Sequence, residues 1–222
     1  MHDYRACVAT FESMLNARLR GDAGQPFVTF YDDDTGERTE LSFTSWANWV
    51  AKTAGVLTED LDLVPGDTLG IDLPPHWLGT VFCGAAWLAG VQVLTGAGAT
   101  ARVGTTAGDL VCSLHPFALA FPPGAAPAGG QDFGHLWPNQ PDVFLGERPL
   151  PGVPVFDGLG IDDLTAVGSS DRVLTEIDPT SHQGVRLLLD LLAGTGSMVL
   201  VANAAPGSAE ARRTTERVTA TR

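Results

Sequence analysis

Val64-Pro65-Gly66-Asp67-Thr68-Leu69-Gly70-Ile71-Asp72-Leu73-Pro74-Pro75-His76, running into Trp77-Leu78-Gly79-Thr80-Val81-Phe82-Cys83-Gly84-Ala85-Ala86-Trp87-Leu88-Ala89-Gly90 and then Val91-Gln92-Val93-Leu94, decides the fold. Pro65-Gly66-Asp67 has the composition of a tight turn, and residues 68–73 that of a short strand. Pro74-Pro75 stops the strand before a helix that begins near His76. Residues 77–89 are apolar nearly all round, so the helix they form is buried, and Gly90 ends it before a strand at residues 91–94. Strand, helix and strand in this order make a crossover unit, which implies a parallel sheet.

Upstream, residues 4–20 carry Tyr4, Val8, Phe11, Met14, Leu15 and Leu19 at helical spacing, with Gly21 after a basic last turn. Residues 26–30 and 38–43 flank the acidic, glycine-containing Asp32-Asp33-Asp34-Thr35-Gly36-Glu37, the composition of a hairpin tip. Ser42 can cap a helix whose buried stripe is Phe43, Trp46, Ala47, Val50, Ala54 and Leu57, with Asn48, Lys52 and Thr53 expected on the wetter side. Downstream, residues 109–113 suggest another strand. Nine of the 15 prolines then fall between Pro116 and Pro154, so little regular structure is expected there. Order resumes with a strand at 172–177, a leucine-rich helix at 184–192, a turn at 194–196, a strand at 197–201 and a polar helix at 206–217.

These elements imply an α/β protein in three layers, a mostly parallel sheet flanked by helices with a β-hairpin near the N-terminus. Its 222 residues, 44% hydrophobic, suffice for one unit spanning 1–222: a first lobe at 1–115, a Pro/Gly-rich irregular connection at 116–170 and a second strand–helix–strand segment at 171–222. A net charge of −13 repels phosphate backbones and acidic membrane surfaces, so neither nucleic acid nor membrane is expected as a partner. Cys7, Cys83 and Cys112 are isolated in apolar surroundings, which points to buried free thiols in a reducing cytoplasm. The longest apolar run is too short to span a bilayer.

Residues 39–43, 46–57 and 64–74, with the alanine-rich helix ending at Gly90, resemble the opening of the AMP-binding, acyl-CoA-synthetase-like adenylate-forming enzymes over about residues 25–95. A looser match joins Asp171-Arg172-Val173-Leu174, Pro179-Thr180-Ser181-His182, residues 189–200 with Gly194-Thr195-Gly196, and Glu216-Arg217-Val218-Thr219. The pattern also looks like a short actinobacterial family related to these enzymes, which implies no activity of its own. The resemblance implies a phosphate-cradling loop ending in Pro-Lys-Gly. Here its nearest counterpart is Ala166-Val167-Gly168-Ser169-Ser170-Asp171, without a lysine. The family's Tyr-Gly-x-Thr-Glu motif, ribose-binding aspartate and catalytic lysine would fall after residue 222. Lys52, the one lysine, matches neither family lysine, so the cation that stabilises a transferring phosphoryl group is missing.

Other motifs have simpler readings. Asp34-Thr35-Gly36 spells an aspartic-protease triplet but sits among Asp32, Asp33 and Glu37, where a hairpin tip explains it. Gly194-Thr195-Gly196 follows a helix and precedes a strand, the reverse of a dinucleotide fingerprint. Residues 96–101 fit G-x-G-x-x-A, yet Gly104 and Gly108 interrupt any helix they would open, so a loop is expected. His115 and His135 lack a second ligand at zinc spacing. Trp46 and Trp49, three apart on a helix, read as core before partner surface. His182 stands where the resemblance puts a pocket-lining histidine near the acyl-substrate end of the cleft, and it is the candidate ligand-binding residue.

The expectation is therefore a non-catalytic relative of the adenylate-forming N-terminal domain, binding a ligand or a protein partner. No residue is assigned a catalytic role and no cofactor or metal is expected, since AMP, ATP and CoA lack motif support. Faces that the larger enzymes cover would need a second copy or another chain. The alternative is half of a split acyl-adenylating ligase, or a residual AMP- or acyl-binding enzyme.

Overall fold

Two five-stranded sheets, where the sequence suggested one, organise the chain in the computed structural model, which describes residues 10–21, 23–165 and 167–222. Helix α1 (Phe11–Arg20) starts at a capping box in which the Thr10 side chain accepts from the Ser13 amide and Ser13 Oγ from the Thr10 amide. The earlier start expected from Tyr4 and Val8, and the Cys7 thiol, lie outside the described residues. Strands β1 (Pro26–Asp32) and β2 (Glu37–Ser42) pair antiparallel from Val28↔Leu41 to Asp32↔Glu37, and Gly36 takes a left-handed φ of 75° at the tip.

Helix α2 (Phe43–Gly55) begins where Ser42 accepts from the Ser45 amide, and it runs into a π-type turn at Val56–Asp60. Its expected stripe is buried. Its expected wet side is not: Thr53 is wholly buried, and Lys52 is half-buried, its ammonium bonded to the Gln140 carbonyl and 3.1 Å from Asp142. The cause lies far along the chain. Residues 137–142 cross this face, and Trp137 packs on Trp49 with ring centroids 4.3 Å apart. Trp49 also packs edge-on against Trp77, so Trp46 is in the core and Trp49 is partly buried against it.

The expected crossover is present as β3 (Thr68–Asp72), α3 (Trp77–Leu88) and β4 (Gln92–Val93), with Leu69 paired in parallel to Val93. Every residue of α3 is buried, because the helix touches both sheets. Each large apolar side chain so buried contributes roughly 1.5–3 kcal/mol, so α3 with α2 beside it forms the inner layer that unites the sheets. Gly84 permits their close approach: a Cβ there would lie 2.8 Å from Val50 Cγ2. Trp46 and Trp87 keep their indole N–H groups satisfied within this layer, on Thr80 Oγ1 and the Val155 carbonyl, both at 3.0 Å.

Beyond β4, residues 96–101 are a loop with Gly96 and Gly98 at positive φ. Strands β5 (Ala101–Gly104), β6 (Leu110–Val111) and β7 (Gln131–Asp132) complete an all-parallel sheet in the order β4-β3-β5-β6-β7. Between residues 116 and 170 regular structure is sparse, with short helices α4 (Phe133–Leu136) and α5 (Ile161–Leu164). Strand β8 (Arg172–Thr175), helix α6 (His182–Ala193), strand β9 (Ser197–Ala202), helix α7 (Ser208–Thr215) and strand β10 (Ala220–Thr221) follow. They pair with the N-terminal hairpin as β10-β8-β9-β1-β2, parallel except for β1 and β2. The fold class is thus α/β with parallel sheets flanked by helices. Among the described residues no helix is long and apolar enough to cross a membrane.

Candidate functional site

The carboxyl ends of five strands from both sheets converge on one cleft of about 780 Å³. Asp32 closes β1, residues 74–76 follow β3, residues 113–116 follow β6, Glu176 follows β8, Ala202 ends β9 and Asn203 follows it. This is where open parallel sheets place ligands, and the volume falls within the range of small-molecule sites. Phe30, Pro74, Pro75, Leu114 and Val201 supply an apolar surface, while Asp32, Glu37, His76, His115 and Glu176 supply charge or hydrogen bonds. No lysine or arginine is among the lining residues.

His76 is positioned by helix α3, which it caps: its Nδ1 accepts from the Leu78 amide at 3.2 Å. With Nδ1 accepting, the neutral ring carries its proton on Nε2. The residue is 4% exposed, its ring packs edge-on against Phe30, and Nε2 has no hydrogen-bond partner. The nearest carboxylate oxygen, Glu37 Oε2, is 3.9 Å away, close enough for electrostatic influence but too far for a hydrogen bond. Glu37 accepts from Thr39 Oγ1 at 2.7 Å. Burial pushes its carboxyl up, but the neighbouring His76 ring, Thr39 hydroxyl and Trp77 indole outweigh this and hold its pKa below the ordinary value.

The acidic hairpin tip is fastened to the end of β9 and to α7. Asp32 accepts from Asn203 Nδ2 at 2.8 Å and the Asp34 amide at 3.0 Å. Asp33 accepts from the Ala205 amide at 2.7 Å and pairs with Arg212 at 2.6 Å, which lowers its pKa and ties the tip to α7.

The structure scatters the residues that sequence reasoning singled out. His182 is the first residue of α6, exposed, with its ring 5.9 Å from that of Phe156, and it does not line the cleft. Its neighbour Ser181 lines a separate recess of about 190 Å³ with Asp72, Arg102, Asp178 and Thr180. Lys52 is held elsewhere by Gln140 and Asp142. At the position of the phosphate loop, Ala166 lies outside the described residues, and the segment after it folds back onto α6. The Ser169 amide donates to the Asp190 carbonyl at 2.8 Å and the Asp171 amide to Ser169 Oγ at 3.2 Å. Gly194 packs so tightly here that a Cβ would fall 2.1 Å from the Ser169 carbonyl oxygen. Among the described residues, no group of three or more His, Cys, Asp or Glu could hold a metal ion. His76 and Glu37 lie 39 positions apart, so no local pattern in the sequence pairs them. The local signal was a histidine at a helix N-cap after Pro74-Pro75.

No family model matches the chain. It is 32% identical over 235 residues to a TIGR03089 family protein of Mycobacterium tuberculosis, across 93% of this chain and 95% of that protein. The inhibitor-bound N-terminal domain of FACL13 from Mycobacterium tuberculosis superposes with a TM-score of 0.70 at 13% identity, over 96% of this chain and 62% of that one. A Klebsiella oxytoca NpsA N-terminal subdomain in complex with 3-hydroxybenzoyl-AMSN gives a TM-score of 0.65 at 15% identity, over 100% and 61%. A Mycobacterium tuberculosis fatty acyl CoA synthetase gives 0.65 at 11% identity, over 96% and 48%. The chain thus spans roughly half to three-fifths of the solved structures it resembles.

Proposed function

Because the chain belongs to the TIGR03089 family and has the fold of the N-terminal part of adenylate-forming enzymes, we propose that it is a non-catalytic relative of them that binds a ligand or a partner. The observation that carries this reading is the state of the 167–171 segment. Two of its amides are spent inside the protein, on Asp190 and on Ser169, whereas a phosphate cradle needs amides turned outward. The cleft supports the same reading. It lines its walls with three carboxylates and no lysine or arginine, so the developing charge of a phosphoryl-group transfer would be repelled rather than stabilised.

The cleft is the proposed ligand site. His182, at the exposed head of α6, is a secondary contact for a ligand reaching the smaller recess beside Ser181. A partner surface is supported by Val143, Leu145 and Leu150, which stand 62%, 80% and 77% exposed on one stretch of chain, and a second copy or another chain would cover them.

Thermal unfolding with ATP, AMP, CoA and an acyl-adenylate analogue tests the reading. A ligand at 100 times its Kd stabilises by about 2.7 kcal/mol, or roughly 5–11 °C for a chain of this size. No shift is expected from any of the four. A shift of that size with ATP, together with pyrophosphate release when an acid is added, would instead make the chain an adenylating enzyme or half of a split ligase.

A further inference from the structure

We propose that the cleft between the two sheets takes a small organic cation, an aliphatic amine with a hydroxyl or carbonyl oxygen beside its nitrogen, recognised by Glu37 and His76. This deepens the binding-module reading and rests on it. Its starting point is a hydrogen-bonding group that the protein leaves idle. His76 lines the cleft, and its Nε2 is buried with no hydrogen-bond partner, although burying an unsatisfied donor costs free energy. Because Nδ1 is occupied by the Leu78 amide, Nε2 carries the proton in the neutral ring and calls for an acceptor atom.

The acceptors in the cleft call for the opposite. Glu37 Oε1 takes the Thr39 hydroxyl, while Oε2 has no donor within hydrogen-bond distance and faces His76 Nε2 at 3.9 Å. Glu176 is exposed at the rim and forms no ion pair among the described residues. A ligand that satisfies both sides must offer an oxygen to His76 and positively charged N–H groups to the carboxylates. An anion would satisfy His76 and meet like charge everywhere else. A neutral polyol would leave the carboxylates unbalanced in a chain whose net charge is already −13. Phe30, Pro74 and Val201 provide the surface against which an aliphatic segment would lose its water.

Saturation-transfer NMR and calorimetry with 2-amino-1-pentanol and 1-amino-2-propanol, against glycerol, acetate and AMP, test the proposal on the full chain. Binding of an amino alcohol is expected, with glycerol and both anions silent. His76→Asn keeps a good helix cap but removes the ring, and Glu37→Gln keeps the shape but removes the charge. Glu37→Gln should weaken binding by about tenfold or more, the loss expected for one hydrogen bond to a charged group, and His76→Asn by about fivefold, the loss expected for a neutral one. Silence from both amino alcohols, or binding unchanged in both variants, would overturn the proposal while leaving the non-adenylating reading in place. AMP binding that His76→Asn abolishes would overturn both.

Discussion

Glu216→Gln tests whether a buried ionic knot holds the chain's late segment against its N-terminal hairpin. The Glu216 side chain, 7% exposed, accepts from Tyr31 at 2.5 Å and pairs with Arg38 at 2.9 Å and Arg172 at 2.6 Å, joining β1, β2 and β8 to the end of α7. Burial alone would raise its pKa, but these donors outweigh that and hold it at about 2, against an ordinary 4.5. Taken whole, that difference corresponds to an upper bound of about 3.4 kcal/mol. Arg38 is 44% exposed, so solvent screening reduces the expected contribution to about 2 kcal/mol, or roughly 4–8 °C in Tm. A carboxyl with a depressed pKa stabilises the fold above its unfolded value and loses that contribution as pH falls through the folded one. Urea unfolding of both proteins should therefore show a gap of about 2 kcal/mol at pH 7 that narrows as pH drops from about 4.5 toward 2. A gap under about 0.5 kcal/mol at pH 7, or one that does not narrow on acidification, would refute the reasoning.

Gly194→Ala would place a methyl group 2.1 Å from the Ser169 carbonyl oxygen and 2.6 Å from its amide nitrogen, with backbone on both sides and no flexible side chain to yield. A loss of about 3 kcal/mol in urea unfolding is expected, and a change within about 0.5 kcal/mol would show that the 168–171 segment is not packed on α6 as described. Burial pushes the Cys83 and Cys112 thiols far above their ordinary pKa. In a Cys7→Ser background both should therefore stay unreactive toward an aromatic disulfide reagent at pH 8 until urea is added. Rapid labelling of the native protein would contradict their placement.

What the sequence made legible was local. The tight turn at 65–67, the prolines at 74–75 and the all-apolar run after them specify the crossover, and Ser42 with its stripe specifies α2, because caps and periodicity act within a few residues. Strands β5, β7 and β10, of two to four residues, were not legible, since their pairing energy comes from neighbours rather than from their own composition. Lys52 and Thr53 looked solvent-facing for a related reason: what covers them arrives some 85 residues later. The division into two sheets was hidden because the hairpin finds its parallel neighbour β9 about 170 residues downstream. The cleft was hidden too, for its walls are five strand ends that only the finished topology assembles. His182 follows from the resemblance alone, and it stands at the head of α6, apart from these five strand ends.

The chain has the fold of an adenylate-forming N-terminal region, and the function proposed for it is binding without adenylation. Exchange of labelled pyrophosphate into ATP, measured at high protein concentration with magnesium and a panel of aliphatic, aromatic and amino acids, tests it most directly. The account predicts exchange indistinguishable from a no-protein control with every acid. Acid-dependent exchange that follows the protein through purification would contradict it.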